Sequence, residues 1–244
     1  GNNITILRDY KFTSLSKSMF LDVSNNQIKT VELESIDYYV EADVAYYVDV
    51  LLPKENQTKL KGPSDGIKIV LNENPITCDC SNYGLLLYFL QYFLKGYGSK
   101  MIDIESQNVT CKPWNTSIDE VHPKTLTCNN VDGCPSLCNC SHSPFYNHTT
   151  VDCSSVNLEQ MPQDLNVTYK NRTPRKITLI LRKNSIQQFL KNPSDNYKLV
   201  TDLDLSLNAI KDWRVDIVQH FPHLEKLNLS HNHLESLSED FFNS

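Results

Sequence analysis

Eight cysteines carry the strongest chemical signal in this 244-residue chain: Cys78, Cys80, Cys111, Cys128, Cys134, Cys138, Cys140 and Cys153. Thiolates at such spacings can ligate zinc, act as nucleophiles, or pair as disulfides. Cys134-x-x-x-Cys138-x-Cys140 with His142 imitates a zinc cluster. The N-glycosylation signals decide for disulfides. Asn-x-Ser/Thr occurs at Asn3, Asn56, Asn108, Asn115, Asn139, Asn147, Asn166, Asn171 and Asn228. Chance gives about 3.6 such signals for this composition, in a motif that marks exposed secreted surface. The chain is therefore expected to be extracellular, glycosylated and oxidised. Asn139 is the weakest signal, because its middle residue is Cys140 and a disulfide there could block the transferase.

Other chemistry is poorly supported. There is no Gly-rich phosphate loop, no nucleophile elbow and no His-Glu-x-x-His, and only seven glycines to build loops from. His220 with His223 and His231 with His233 lack acidic or cysteine partners at ligand spacing. No enzyme activity, metal or cofactor is expected. A net charge of −6 argues against non-specific nucleic-acid binding. The longest apolar run, Leu85 to Leu94, falls short of the roughly 20 residues that span a bilayer. The chain also opens on polar Gly1-Asn2-Asn3, without a signal peptide. It therefore reads as a fragment of a longer ectodomain.

The elements that hold the cysteines are repeats. Val200-x-x-Leu203-x-Leu205-x-x-Asn208-x-Ile210 aligns with Leu224-x-x-Leu227-x-Leu229-x-x-Asn232-x-Leu234. Leu179-x-Leu181-x-x-Asn184-x-Ile186 is a third copy, and the asparagines recur every 24 residues. This is the leucine-rich-repeat period. The Leu-x-Leu segment is a short strand with alternate side chains inward. The Asn ends it and can bond backbone of neighbouring coils. Trp213, Ile217 and Phe221 would pack the convex side. A weaker array precedes the cysteines: Leu21-x-Val23-x-x-Asn26-x-Ile28 and Ile69-x-Leu71-x-x-Asn74-x-Ile76, with Val48-x-Val50-x-x-Pro53 as a degenerate copy between them. The strict alternation from Val40 to Val50 predicts a strand, and the apolar stretch Leu85 to Tyr97 a helix.

Solenoid ends expose core and need caps. Here Asn74-Pro75-x-x-Cys78-Asp79-Cys80, followed by Cys111 and Cys128, closes one array. Cys134-Pro135-x-x-Cys138-Asn139-Cys140, followed by Cys153, opens the next. Spacing alone leaves 105 possible pairings for eight cysteines. The residues resemble the cysteine caps of extracellular leucine-rich-repeat proteins. Their order, a C-terminal cap joined to a new N-terminal cap, resembles arthropod Toll receptor ectodomains near the membrane. Slit-type guidance proteins also string capped blocks in tandem, and an adhesion protein is a third reading.

The resemblance implies the pairs Cys78–Cys111, Cys80–Cys128, Cys134–Cys140 and Cys138–Cys153. It implies an α/β leucine-rich-repeat solenoid with two short repeat blocks separated by disulfide-stapled caps. The blocks are 1–76, the end of the first array; 77–129, the C-terminal cap; 130–165, the N-terminal cap; and 166–244, the truncated second array. It further implies an extracellular receptor segment that recognises a dimeric cystine-knot (Spätzle-like) cytokine and signals by pairing with a second receptor copy. A single membrane helix would follow, with none in this segment. Solenoids bind partners on the concave face. Here that face would present Thr178, Ile180, Arg182, Asp202, Asp204, Ser206 and Lys226, with Asn228 and Ser230 beside them. A glycan at Asn228 would obstruct it. The basic stretch Lys170, Arg172, Arg175, Lys176, Arg182, Lys183 and the acidic group Glu32, Glu34, Asp37, Glu41, Asp43 are further charged surfaces.

Overall fold

A computed structural model describes residues 2–8, 19–32, 67–95, 102–105, 109–187, 189–190, 193–212 and 219–235. The chain divides into two compact units, Gly1–Leu126 and Thr127–Ser244.

In the first unit, β2 (Met19–Asp22), β4 (Ile67–Val70) and β5 (Ile102–Glu105) form a parallel sheet. Leu21 lies opposite Ile69, and Ile69 opposite Ile104. A second parallel pair joins β1 (Ile6–Arg8) to β3 (Thr30–Glu32). Because β2 and β4 are hydrogen-bonded neighbours, the Asn26 coil stacks directly on the Asn74 coil. The degenerate copy at Val48–Pro53 lies outside the described residues, as do all of residues 33–66 with the expected Val40–Val50 strand. One further coil precedes these. The Gln27 amide donates to the Ile4 carbonyl at 3.0 Å, as the Ala209 amide does to Ile186. Asn2-Asn3-Ile4 therefore shares the register of Asn26-Gln27-Ile28.

Between β4 and β5 runs helix α1 (Tyr83–Lys95). Leu85, Leu86, Leu87, Tyr88 and Phe89 are all buried. The Ile104 amide donates to the Tyr88 hydroxyl at 3.0 Å, which ties the helix to the edge strand. Past α1, β6 (Thr110–Cys111) and β7 (Thr116–Ser117) make an antiparallel pair.

The second unit is a five-stranded sheet in the order β12-β11-β10-β9-β8. It comprises β8 (Asn139–Ser143), β9 (His148–Asp152), β10 (Lys176–Ile180), β11 (Val200–Asp204) and β12 (Lys226–Asn228). The first two strands are an antiparallel hairpin; the rest pair in parallel, one strand per coil. Leu179, Leu203 and Leu227 share one inward row with Val151. Behind the sheet, Phe221 is buried and meets Tyr197 edge-on at 5.8 Å. The Tyr197 hydroxyl donates to the Pro162 carbonyl at 2.6 Å. Trp213 and Ile217 lie outside the described residues.

The repeat asparagines do the joining. Asn208 donates through Nδ2 to the carbonyls of Leu205, on its own coil, and Leu181, on the coil before. Its Oδ1 accepts the Ile186 amide at 3.0 Å. Asn232 repeats the pattern with Leu229, Leu205 and Ile210, and Asn74 does so with Leu71, Val23 and Ile28. Replacing Asn208 with Ala strands buried donors and acceptors on two coils, at about 1–3 kcal/mol each. Asn208→Ala is expected to destabilise the second unit by roughly 2–4 kcal/mol in urea unfolding. Asn232→Ala, at a less buried position, should cost less.

Candidate protein-recognition surface and its caps

Three disulfides are Cys78–Cys111, Cys134–Cys140 and Cys138–Cys153, with Cα–Cα separations of 5.2, 5.8 and 4.3 Å. Cys80 and Cys128 are also disulfide-bonded, and no cysteine is free. No thiolate remains for metal or nucleophile chemistry. Among the described residues no group of His, Cys, Asp and Glu could hold a metal ion, and no helix is long and apolar enough to cross a membrane.

The caps extend the repeat hydrogen bonding, and sequence spacing did not show it. In the first cap Asn82, fully buried, takes the role of a repeat asparagine. It accepts the Val31 amide at 2.7 Å and donates to the carbonyls of Lys29 and Thr77. In the second, Asn184 donates to the carbonyl of Cys153 at 2.8 Å and accepts the amides of Val156 and Leu158. Gly133 sits at φ +69°, and a Cβ there would meet the Asn166 carbonyl oxygen at 2.2 Å. Only glycine fits this close approach.

The second cap also holds a buried histidine. His142 is 3% exposed, stacks on Tyr169 at 4.5 Å, and shares a 2.8 Å hydrogen bond with the Thr149 hydroxyl. Burial first, then repulsion from His148, pulls its pKa down to about 4. His148 is also lowered, chiefly by burial, with Asp202 opposing and Lys176 and Lys226 adding to the shift. Its Nε2 lies 2.9 Å from the Thr178 hydroxyl.

On the concave face, Asp202 pairs with Lys226 at 2.8 Å, and Lys176 with Glu225 at 2.7 Å. The hydrogen bond from Lys226 lowers the Asp202 pKa and raises that of Lys226. Asp204 accepts the Ser206 amide at 2.9 Å. Of the expected contact residues, Arg182 and Lys226 are exposed and Thr178, Ile180, Asp202 and Asp204 half-buried. Ser206 is 4% exposed and offers a partner almost nothing; it turns inward as the strand ends, and that expectation is corrected. Of the basic stretch, Lys170, Arg172 and Arg175 precede β10 and Arg182 and Lys183 follow it, while Lys176 is neutralised by Glu225. Of the acidic group, Glu32 pairs with Arg8 at 2.6 Å, and Glu34, Asp37, Glu41 and Asp43 lie outside the described residues.

Asn3, Asn115, Asn139, Asn166, Asn171 and Asn228 are exposed and Asn147 half-buried. Asn56 and Asn108 lie outside the described residues. Asn139 and Asn228 occupy one row of the concave sheet, Asn139–Asp152–Ile180–Asp204–Asn228, at its two edges.

His142 yields a pH test. Its folded pKa lies below the unfolded value, so the unfolded chain takes up the proton first. Stability is full above pH ~6.5 and falls as pH drops toward 4. His142→Phe keeps the ring stack. It is expected to flatten the urea-midpoint profile between pH 7 and 4.5, at the cost of an unpaired Thr149 hydroxyl, about 1–3 kcal/mol at every pH.

No family model matches the chain. It is 25% identical to Protein toll of Drosophila melanogaster over 96% of its own length and 22% of that protein's. Leucine-rich repeat-containing protein 3 of Danio rerio is 33% identical over 45% of the chain and 38% of its own length. Tsukushi of Gallus gallus is 32% identical over 44% and 29%. The chain thus spans well under half of each relative. The solved Toll–Spätzle complex of Drosophila superposes with a TM-score of 0.55 over 96% of this chain and 29% of the matched one, at 23% identity. None of these relatives is named as an enzyme. The chain has the leucine-rich-repeat fold and is similar to Drosophila Toll along nearly its whole length.

Proposed function

We propose that this chain is part of the extracellular portion of a single-pass cell-surface receptor. It recognises a dimeric cystine-knot (Spätzle-like) cytokine and signals when two receptor copies pair. The observation that carries this reading is the extent of the similarity to Toll, which spans 96% of the chain and so includes both caps. The relatives above 30% identity match less than half of it, which weakens the guidance and adhesion readings. The Toll chain to which this one is similar was solved bound to Spätzle. The four blocks 1–76, 77–129, 130–165 and 166–244 are the working division, and the signals at the nine asparagines mark its glycosylated surface.

Within the second array, Thr178, Ile180, Arg182, Asp202, Asp204 and Lys226 remain the candidate contacts. Their acids and bases neutralise one another, so the face lacks a single-sign field that would steer a charged ligand. Glycans at Asn139 and Asn228 would stand at both edges of the row between them. A spacer role, with receptor–receptor contact through the caps, fits this surface better than docking of a cytokine into the sheet.

The test uses the full receptor on cells, with two fluorescently tagged populations. Adding a dimeric Spätzle-type cytokine is expected to raise energy transfer between copies. The double reversal Asp202→Lys with Lys226→Asp, which keeps the ion pair, is expected to leave pairing intact. Absence of cytokine binding and pairing would overturn the receptor reading. Loss of pairing in the swapped variant alone would return ligand contact to the concave face.

A further inference from the structure

Three aromatic side chains are exposed among the described residues: Phe20, Trp114 and Tyr146. Single exposed apolar groups are ordinary and argue nothing alone. The placement of two of them is not ordinary. Trp114 and Tyr146 each stand immediately before an N-glycosylation asparagine, Asn115 and Asn147. Each pair closes a four-residue hairpin loop. Lys112-Pro113-Trp114-Asn115 joins β6 to β7, and Pro144-Phe145-Tyr146-Asn147 joins β8 to β9. Both asparagines are left-handed, with φ of 54° and 48°, a conformation asparagine tolerates better than most residues. One hairpin belongs to each cap, so unrelated chain segments have arrived at one local arrangement.

We propose that Trp114 and Tyr146 are platforms for the chain's own glycans, the first N-acetylglucosamine on Asn115 and on Asn147 lying over the adjacent ring. This rests on the reading of the chain as glycosylated. A pyranose presents a face of C–H groups, and an aromatic face is electron-rich, so the two stack and shed water from both. The reactive atom is placed for this at Asn115. Its Oδ1 accepts a hydrogen bond from Lys112 Nζ, and Nδ2 has no partner among the described residues. Transfer joins Nδ2 to C1 of the sugar, displaces the diphosphate of a lipid-linked oligosaccharide donor, and releases one amide proton. The Oδ1 contact with Lys112 is untouched by that step. At Asn147 the Thr149 hydroxyl that the transferase must engage is fully buried against His142. Modification there precedes closure of the β8–β9 hairpin.

The experiment uses this 244-residue segment, expressed through the secretory pathway with Trp213→Phe, which leaves Trp114 as the segment's one tryptophan. Glycopeptide mass spectrometry first reads occupancy at Asn115 and Asn147. Acrylamide quenching of Trp114 is then compared in the intact protein, after trimming to one N-acetylglucosamine, and in Asn115→Gln. Trimming is expected to leave quenching unchanged, and Asn115→Gln to raise it about twofold, as a covered ring becomes open. In melting, Tyr146→Ala and Asn147→Gln should together cost less than the sum of the two. Unoccupied sites would overturn the glycosylated reading and the proposal with it. Occupied sites with quenching unchanged in Asn115→Gln and strictly additive melting shifts would overturn the stacking alone.

Discussion

Backbone hydrogen bonding at the turns is the constraint on which this structure depends. A coil only 24 residues long turns so tightly that carbonyls and amides just past each strand cannot reach one another. They are buried, so water cannot serve them either. One asparagine side chain per coil solves the problem, because its amide can donate twice and accept at once. Asn208 links two coils at once, to Leu205, Leu181 and Ile186. The Leu-x-Leu spacing, the stacking of strands and the closed core behind them all presuppose that the turn is satisfied.

A ladder of this kind has ends, and the caps answer them with the same chemistry before adding covalent bonds. Asn82 serves the Val31 amide and the Lys29 carbonyl as a repeat asparagine would, and α1 beside it buries Leu85 to Phe89. At the start of the second array, Cys153 offers its carbonyl to Asn184 while its sulfur is bonded to Cys138. Disulfides thus fasten segments that already continue the repeat. Their stabilisation, typically a few kcal/mol each, holds pieces too short to bury a core of their own.

Charge pairing and the placement of glycosylation signals mark the sheet of the second unit. Its acids and bases are paired across strands, and its glycosylation signals stand at opposite edges of one row. The hydrophobic interior of the second cap is also where a histidine is held neutral, which couples the stability of that cap to pH through one side chain.

The sequence alone determined the features that repeat or count. Period-24 asparagines, inward leucines, an even cysteine set and an excess of glycosylation signals each depend on local pattern or compartment, which a linear reading captures. The helix over Tyr83–Lys95 was legible from its apolar run. Tertiary structure decided whatever depends on which segments meet. It stacked the Asn26 coil on the Asn74 coil across 48 residues of chain, aligned Asn139 with Asn228 across five strands, and turned Ser206 inward. It also recruited Asn82 and Cys153 into the ladder and packed His142 between Thr149 and Tyr169. None of these follows from spacing, because a hydrogen bond is set by distance in space, and loops of unequal length erase the correspondence between position in the chain and neighbour in the fold.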